Sequence, residues 1–178
     1  KTVAISNRMQ ERLARGEVAL CMATRLARTA EIAMIADACG FDALFIDMEH
    51  STITLDAAAQ ICVAALPVGV TPLVRIAGHN FEDATRLLDA GALGIICPNV
   101  STPAEAQAFA RACRFPPLGE RSVGGAGPLQ GYRATPLAEV NAAMTADRLA
   151  HGLLIHEDPG AGGLELARWI AQRVNCRE

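Results

Sequence analysis

Short continuous apolar runs alternate along the chain with longer stretches in which apolar residues recur every three or four positions. VALCMAT from Val18, ALFID at 43–47, TPLVRIA at 71–77, LGIICPNV at 93–100 and GLLIHED at 152–158 are the continuous runs. Such runs predict strands buried on both faces. Between them lie segments with helical spacing: 6–15, 29–39, 55–66, 81–92 and 102–115. Gly16, Gly40 and Gly91 follow helices as stops, and Thr102 with Pro103 reads as an N-cap and first helical residue. Strand and helix thus repeat every 20 to 30 residues or so, the pattern of parallel strands covered by helices.

Beyond Phe115 the pattern loosens. Residues 116–136 are rich in Gly and Pro and read as a long loop with a further short strand near Arg121. A helix is predicted over 136–150 and another over 163–174. The expectation is a single α/β domain over 1–178 with five or six βα units. A closed eight-stranded barrel typically uses about 250 residues. A fragment, a smaller open sheet and completion by another copy all remain open at this point.

Composition narrows the function. Hydrophobic residues make up 51% and charged residues 20% of the 178 residues, a globular balance. A net charge of −3, with Tyr132 and Trp169 the only Tyr and Trp, argues against a nucleic-acid partner. No apolar run approaches the roughly 18 residues of a membrane span, and nothing at the start resembles a signal peptide. The expected location is cytoplasmic, with no membrane partner. Cys21, Cys39, Cys62, Cys97, Cys113 and Cys176 form no CxxC pair and read as free, buried thiols in a reducing compartment.

Polar residues gather where the apolar runs end. ALFI is followed by Asp47, Met48, Glu49 and His50; Arg75 lies inside LVRIA; Asn99 follows the fourth run. Ligands of parallel α/β folds bind at strand C-termini, so these residues fall where a site belongs. An arginine in an apolar strand is costly unless paired. Glu49 alternates with Asp47, and its expected part is support for the site or pairing with an arginine. His79 and His151 read as surface residues. Arg121 with Ser122, Gly124 and Gly125 is a candidate turn for binding a carboxylate or phosphate through backbone N–H groups, with a plain turn as the alternative.

In order along the chain, GFDALFIDMEHST, TPLVRIAG, LLDAGALGIICPNVSTPAEAQAFARACRFPPLGERSVGG and LLIHED resemble the HpcH/HpaI aldolase family of metal-dependent pyruvate aldolases. The family includes 4-hydroxy-2-oxoheptanedioate and 2-keto-3-deoxyglucarate aldolases. The resemblance implies a TIM (β/α)8-barrel fold, here incomplete with five to six βα units. It implies reversible aldol addition of pyruvate to an aldehyde, and homo-oligomers, commonly hexamers. On this resemblance His50 is the catalytic base or orients a basic water, and Asp47 holds that histidine. Arg75 binds pyruvate and stabilises its enolate. Glu157 is the first metal carboxylate, although Ile155 stands where the family has Gln. The family's second metal carboxylate lies in a later G-x-x-D-L segment that these residues do not contain.

Enolate formation from pyruvate needs either a lysine imine or a divalent metal. The only lysine is Lys1, so the expectation is a metal held by oxygen ligands: Mg2+, Mn2+ or Co2+. The leading expectation is therefore a metal-dependent aldolase cleaving a 4-hydroxy-2-oxo acid to pyruvate and an aldehyde. The alternative is a truncated, catalytically inactive barrel acting as an assembly or interaction subunit. A lyase acting on an acyl-CoA thioester ranks lower, because no extra basic residues are evident for the CoA phosphates.

Overall fold

The computed structural model of the chain describes residues 5–124, 127–132 and the backbone of 152–155. The element order is α1 (Arg8–Ala14), β1 (Cys21–Thr24), α2 (Glu31–Ala38), β2 (Ala43–Asp47), α3 (Leu55–Ala65), β3 (Thr71–Arg75), α4 (Phe81–Asp89), β4 (Gly94–Cys97), α5 (Pro103–Cys113) and β5 (Gly152–Ile155). A short 3-10 turn at Pro128–Gln130 precedes β5. The five strands form one parallel sheet in sequence order, β1-β2-β3-β4-β5. Each strand pairs with the next in the chain and the order never reverses, the winding of a barrel rather than of a doubly wound sheet. No strand forms at 121–124, so the expected short strand near Arg121 is absent there. The predicted helices over 136–150 and 163–174 lie outside the described residues.

The apolar strands have two buried faces, as their lack of alternation requires. Leu44, Ile46, Val74, Ile95 and Cys97 point to the helices and join Ala58, Ile61, Leu87, Leu88 and Phe109 in the main core. The opposite face carries a smaller cluster of Ala43, Leu73 and Ile96 with Phe45 and Met9. Alternation of side chains along β2 and β3 puts Asp47 and Arg75 on that second face too.

Local chemistry sets the helix ends. Thr54 and Asn80 accept from Ala57 and Asp83 N–H to open α3 and α4. Thr102 and Glu105 form a reciprocal capping box, with Pro103 next, to open α5. Gly91 closes α4 with φ +102, and a Cβ there would lie 2.9 Å from Leu66 Cδ1. Glycine satisfies both demands.

Helix α1 lies across the N-terminal ends of β2 and β3. Met9 packs on the second-face cluster, its N–H donates to Thr71 Oγ1 at 3.1 Å, and Arg8 donates to Val68 O and Asp37. Asp42, only 2% exposed, anchors this end. Its carboxylate accepts from Leu20 N–H at 2.9 Å and from Arg12 Nε at 2.8 Å. The Leu20 N–H is the main reason its pKa is held below the ordinary carboxylate value, against the opposing push of burial. No helix among the described residues is long and apolar enough to cross a membrane. Of the described cysteines all are free; Cys62, Cys97 and Cys113 are buried as expected, whereas Cys21 and Cys39 are exposed.

An Asp42→Asn variant keeps the shape but loses the charge on both bonds. It is expected to lower the unfolding free energy by about 2 kcal/mol. Urea unfolding followed by far-ultraviolet circular dichroism should show a lower midpoint with an unchanged slope.

Candidate active site

Strand register creates the central pair. Asp47 stands opposite Arg75 across the β2–β3 ladder, with both side chains on the face away from the helices. Arg75 Nε donates to Asp47 Oδ1 at 3.0 Å and its NH2 group donates to Oδ2 at 2.6 Å. This is a fork-on-carboxylate contact, which fixes the guanidinium in a plane. Its third nitrogen, NH1, lies 3.2 Å from Glu49 Oε2. Phe45, two residues before Asp47, presents its ring 5.4 Å from the guanidinium carbon. A guanidinium has five N–H donors. These contacts use one on each nitrogen, which leaves one on each terminal nitrogen for a ligand oxygen.

The carboxylates explain their own charge states. Burial pushes the Asp47 carboxyl up, but the Arg75 bonds and the backbone N–H groups of His50 and Glu49 outweigh it, and its pKa falls below the ordinary value. The Asp47 bond in turn raises the Arg75 pKa, so the pair is fully ionised.

This geometry corrects one expectation. Asp47 does not hold the His50 imidazole. Its Oδ1 accepts the backbone N–H of Glu49 at 3.0 Å and of His50 at 3.1 Å, which shapes the turn after β2. The imidazole Nε2 instead lies 3.6 Å from Glu49 Oε2. The His50 side chain is 61% exposed and so is open to a ligand. Glu49 is the hub: Oε2 faces both Arg75 and His50, and Oε1 accepts from Asn99 Nδ2 at 3.2 Å. Asn99 adopts a left-handed backbone with φ 56, which asparagine tolerates better than most residues. His79 is exposed, as expected, and its Nε2 lies 3.0 Å from Pro98 O.

Arg121 and Gly124 are elsewhere. Helix α4 leaves the C-terminal end of β3 and returns before β4, so its last residue, Asp89, sits at the N-terminal edge of the sheet. Arg121 donates to Asp89 Oδ1 at 2.6 Å and stacks on Phe115 at 4.6 Å. It is 5% exposed, and its Nε has no hydrogen-bond partner among the described residues. A Cβ on Gly124 would lie 3.2 Å from the Asp89 carboxylate, and Ser122 is exposed on the same stretch. The structure thus groups Arg121 and Gly124 with Asp89, and not with Asp47, Arg75 and His50. Their geometry is that of a structural clasp.

Glu157 lies outside the described residues; β5, which precedes it, is parallel to β4. Among the described residues no three His, Cys, Asp or Glu side chains converge as metal ligands. Asp47 and Glu49 are already engaged with Arg75.

Two residues at this end were passed over in the sequence reading. Arg28, on the loop after β1, donates from NH1 to Leu26 O at 2.9 Å and from NH2 to Thr52 Oγ1 on the loop after β2. The sequence clue was two arginines, Arg25 and Arg28, directly after an apolar run, the same position that singled out Asp47 to His50.

Residues 25–151 match the family model described as HpcH/HpaI aldolase/citrate lyase. The chain is 40% identical over 172 residues to 4-hydroxy-4-methyl-2-oxoglutarate aldolase tasA of Hapsidospora irregularis, covering 95% of this chain and 62% of that protein. It is 39% identical over 141 residues to 4-hydroxy-4-methyl-2-oxoglutarate aldolase cghB of Chaetomium globosum, covering 78% of this chain and 52% of that protein. The chain thus spans between about half and two-thirds of these relatives. The crystal structure of an HpcH/HpaI aldolase from Desulfitobacterium hafniense DCB-2 superposes with a TM-score of 0.81 at 24% identity, covering 94% of this chain and 62% of that one. The fold is accordingly of TIM-barrel type, with five parallel strands among the described residues.

An Asp47→Asn variant leaves Arg75 with only Glu49 as an anionic partner. It is expected to cost about 2 to 4 kcal/mol at pH 7. Because the folded pKa of Asp47 lies below its unfolded value, its stabilisation is present above the unfolded value and is lost as pH falls through the folded one. The stability gap between wild type and variant should therefore close below about pH 4. Urea melts of both proteins across this range check it.

Proposed function

Because the chain belongs to the HpcH/HpaI aldolase/citrate lyase family, we propose that it is a carbon–carbon lyase. On this reading it cleaves a 4-hydroxy-2-oxo acid to pyruvate, or a related 2-oxo acid, and a second carbonyl compound. The observation that carries it is the Arg75 guanidinium locked by Asp47 and Glu49 beside an exposed His50. Two relatives named as 4-hydroxy-4-methyl-2-oxoglutarate aldolases support the reaction class.

The chemistry assigns each side chain a task. The two remaining Arg75 N–H groups face the 2-oxo oxygen, where negative charge grows as the C3–C4 bond breaks. His50 accepts the proton of the C4 hydroxyl, C4 becomes a carbonyl, and the bonding pair passes into the enolate. Protonation at C3 completes the 2-oxo acid. Asp47 and Glu49 touch neither reacting carbon. They hold the guanidinium in its plane and set the histidine at its edge, so that little reorganises during the reaction.

A divalent metal belongs to this reading, with Mg2+, Mn2+ or Co2+ suited to oxygen ligands. When bound, it supplies a Lewis acid for the 2-oxo acid. The described carboxylates do not make a metal site by themselves, so Glu157 is the chain's proposed contribution to it. The reading also includes a homo-oligomer and, from the buried thiols Cys62, Cys97 and Cys113, a reducing compartment such as the cytoplasm.

Pyruvate methyl protons should exchange with deuterium in the presence of the protein and Mn2+, as followed by proton NMR. His50→Ala and Arg75→Lys are each expected to slow this about 100-fold or more. Wild-type exchange no faster than in the His50→Ala variant would overturn the reading.

A further inference from the structure

The charges at the C-terminal end of the strands do not balance around one carboxylate ligand. Arg75 is shared between Asp47 and Glu49, so the central cluster already carries one more negative charge than positive. Arg28 is in the opposite situation. Arg8, Arg12, Arg75 and Arg121 each face a carboxylate. Arg28 is held only by neutral acceptors, the Leu26 carbonyl and the Thr52 hydroxyl. No carboxylate among the described residues forms an ion pair with it. The nearest acid along its own loop, Glu31, is instead bonded to Thr29 and to its own backbone N–H.

The two anchors do more than leave the charge free. The Thr52 bond crosses from the β1 loop to the β2 loop and, with the Leu26 bond within the β1 loop, restricts a side chain that otherwise has many rotamers, so part of the ordering cost of binding is met beforehand. With two N–H groups engaged, three of the five donors stay available. Thr52 is two residues from His50, and two residues span at most about 7 Å of chain. Arg28 is thereby tied to the loop that carries His50, so a ligand that reaches His50 has Arg28 on the neighbouring loop toward which its far half can extend. Arg25, exposed on the same loop, adds a second positive charge there.

We propose that Arg28, fixed by Thr52, is a specificity-determining residue that binds a second carboxylate on the half of the substrate beyond C4. The substrate class is then a 4-hydroxy-2-oxo dicarboxylate rather than a monoacid with a neutral tail. This rests on the lyase reading above. The planar fork of arginine suits a carboxylate, and a charge-assisted hydrogen bond of this kind, once the ligand covers it, shifts affinity by about 10- to 100-fold.

The test has a turnover arm and a binding arm. Cleavage of 4-hydroxy-4-methyl-2-oxoglutarate and of 4-hydroxy-2-oxopentanoate is compared in wild type, Arg28→Gln and Thr52→Val, with thermal melts to verify folding. Arg28→Gln should lower kcat/KM for the diacid about 30-fold, chiefly through KM, and change the monoacid by less than about 3-fold. Thr52→Val should move the diacid in the same direction by a smaller factor. In the binding arm, isothermal titration compares 2-oxoglutarate with 2-oxopentanoate, which differ in the distal carboxylate, in the presence of Mn2+. Tighter binding of 2-oxoglutarate that vanishes in Arg28→Gln supports the carboxylate site even if neither substrate is cleaved, in which case the lyase reading fails alone. Equal effects of Arg28→Gln on diacid and monoacid, or no preference for 2-oxoglutarate in wild type, would overturn the proposal.

Discussion

The Asp47–Arg75 pair is the interaction on which the site depends, and sheet register produces it. Parallel pairing of β2 with β3 puts the two residues side by side at the C-terminal ends of their strands. Neither would be stable there alone: an isolated charge at a strand end so deeply buried would shift its pKa or distort the strand. Together they form a planar, doubly bonded unit. A slip of one residue in that ladder would send one of them into the helix-facing core among Leu44, Val74 and Ile95. The apolar packing that fixes register thereby also fixes the chemistry.

The rest of the polar cluster follows from that unit. With Asp47 accepting the backbone N–H groups of Glu49 and His50, the chain turns sharply after β2. The turn brings Glu49 back over Arg75 and leaves the His50 ring outside. The left-handed backbone of Asn99 lets β4 contribute one more donor to Glu49. Three neighbouring strands therefore share one hydrogen-bonded network at their C-terminal ends, and an exposed imidazole stands at its rim.

Much of the fold was legible because it rests on local pattern. Continuous apolar runs marked the five strands, and Gly40, Gly91, Thr102 and Pro103 marked helix ends. The residues at the strand ends were legible for the same reason, since chain position decides which end of a parallel strand they occupy. Partner choice was not. The family resemblance implied an Asp47–His50 side-chain contact, yet Asp47 reaches across the sheet to a residue 28 positions away. Nor does the sequence show that the Arg121 loop closes on the far edge, because that depends on helix α4 delivering Asp89 there. Arg28 was hidden by a similar long-range bond, to Thr52. Local spacing reports position along an element; the pairing of charges is settled by which elements lie next to each other.

The two edges of the sheet divide the charged residues by task. At the N-terminal edge the strongly buried charges among the described residues have partners: Asp42 has Arg12 and the Leu20 N–H, and Arg121 has Asp89. These groups tie α1 and the loop after α5 to the strands. At the C-terminal edge, donors remain in excess of acceptors in specific places, two N–H groups on Arg75 and three on Arg28. Folding stability alone gives no reason to hold an arginine rigid without an anion, since ordering a long side chain costs up to about 2 kcal/mol. A binding surface does give one, because a donor set ordered in advance favours a ligand that supplies the missing acceptors. The donors left over on Arg75 and Arg28 are the physical basis for proposing the C-terminal edge as the working end of this sheet.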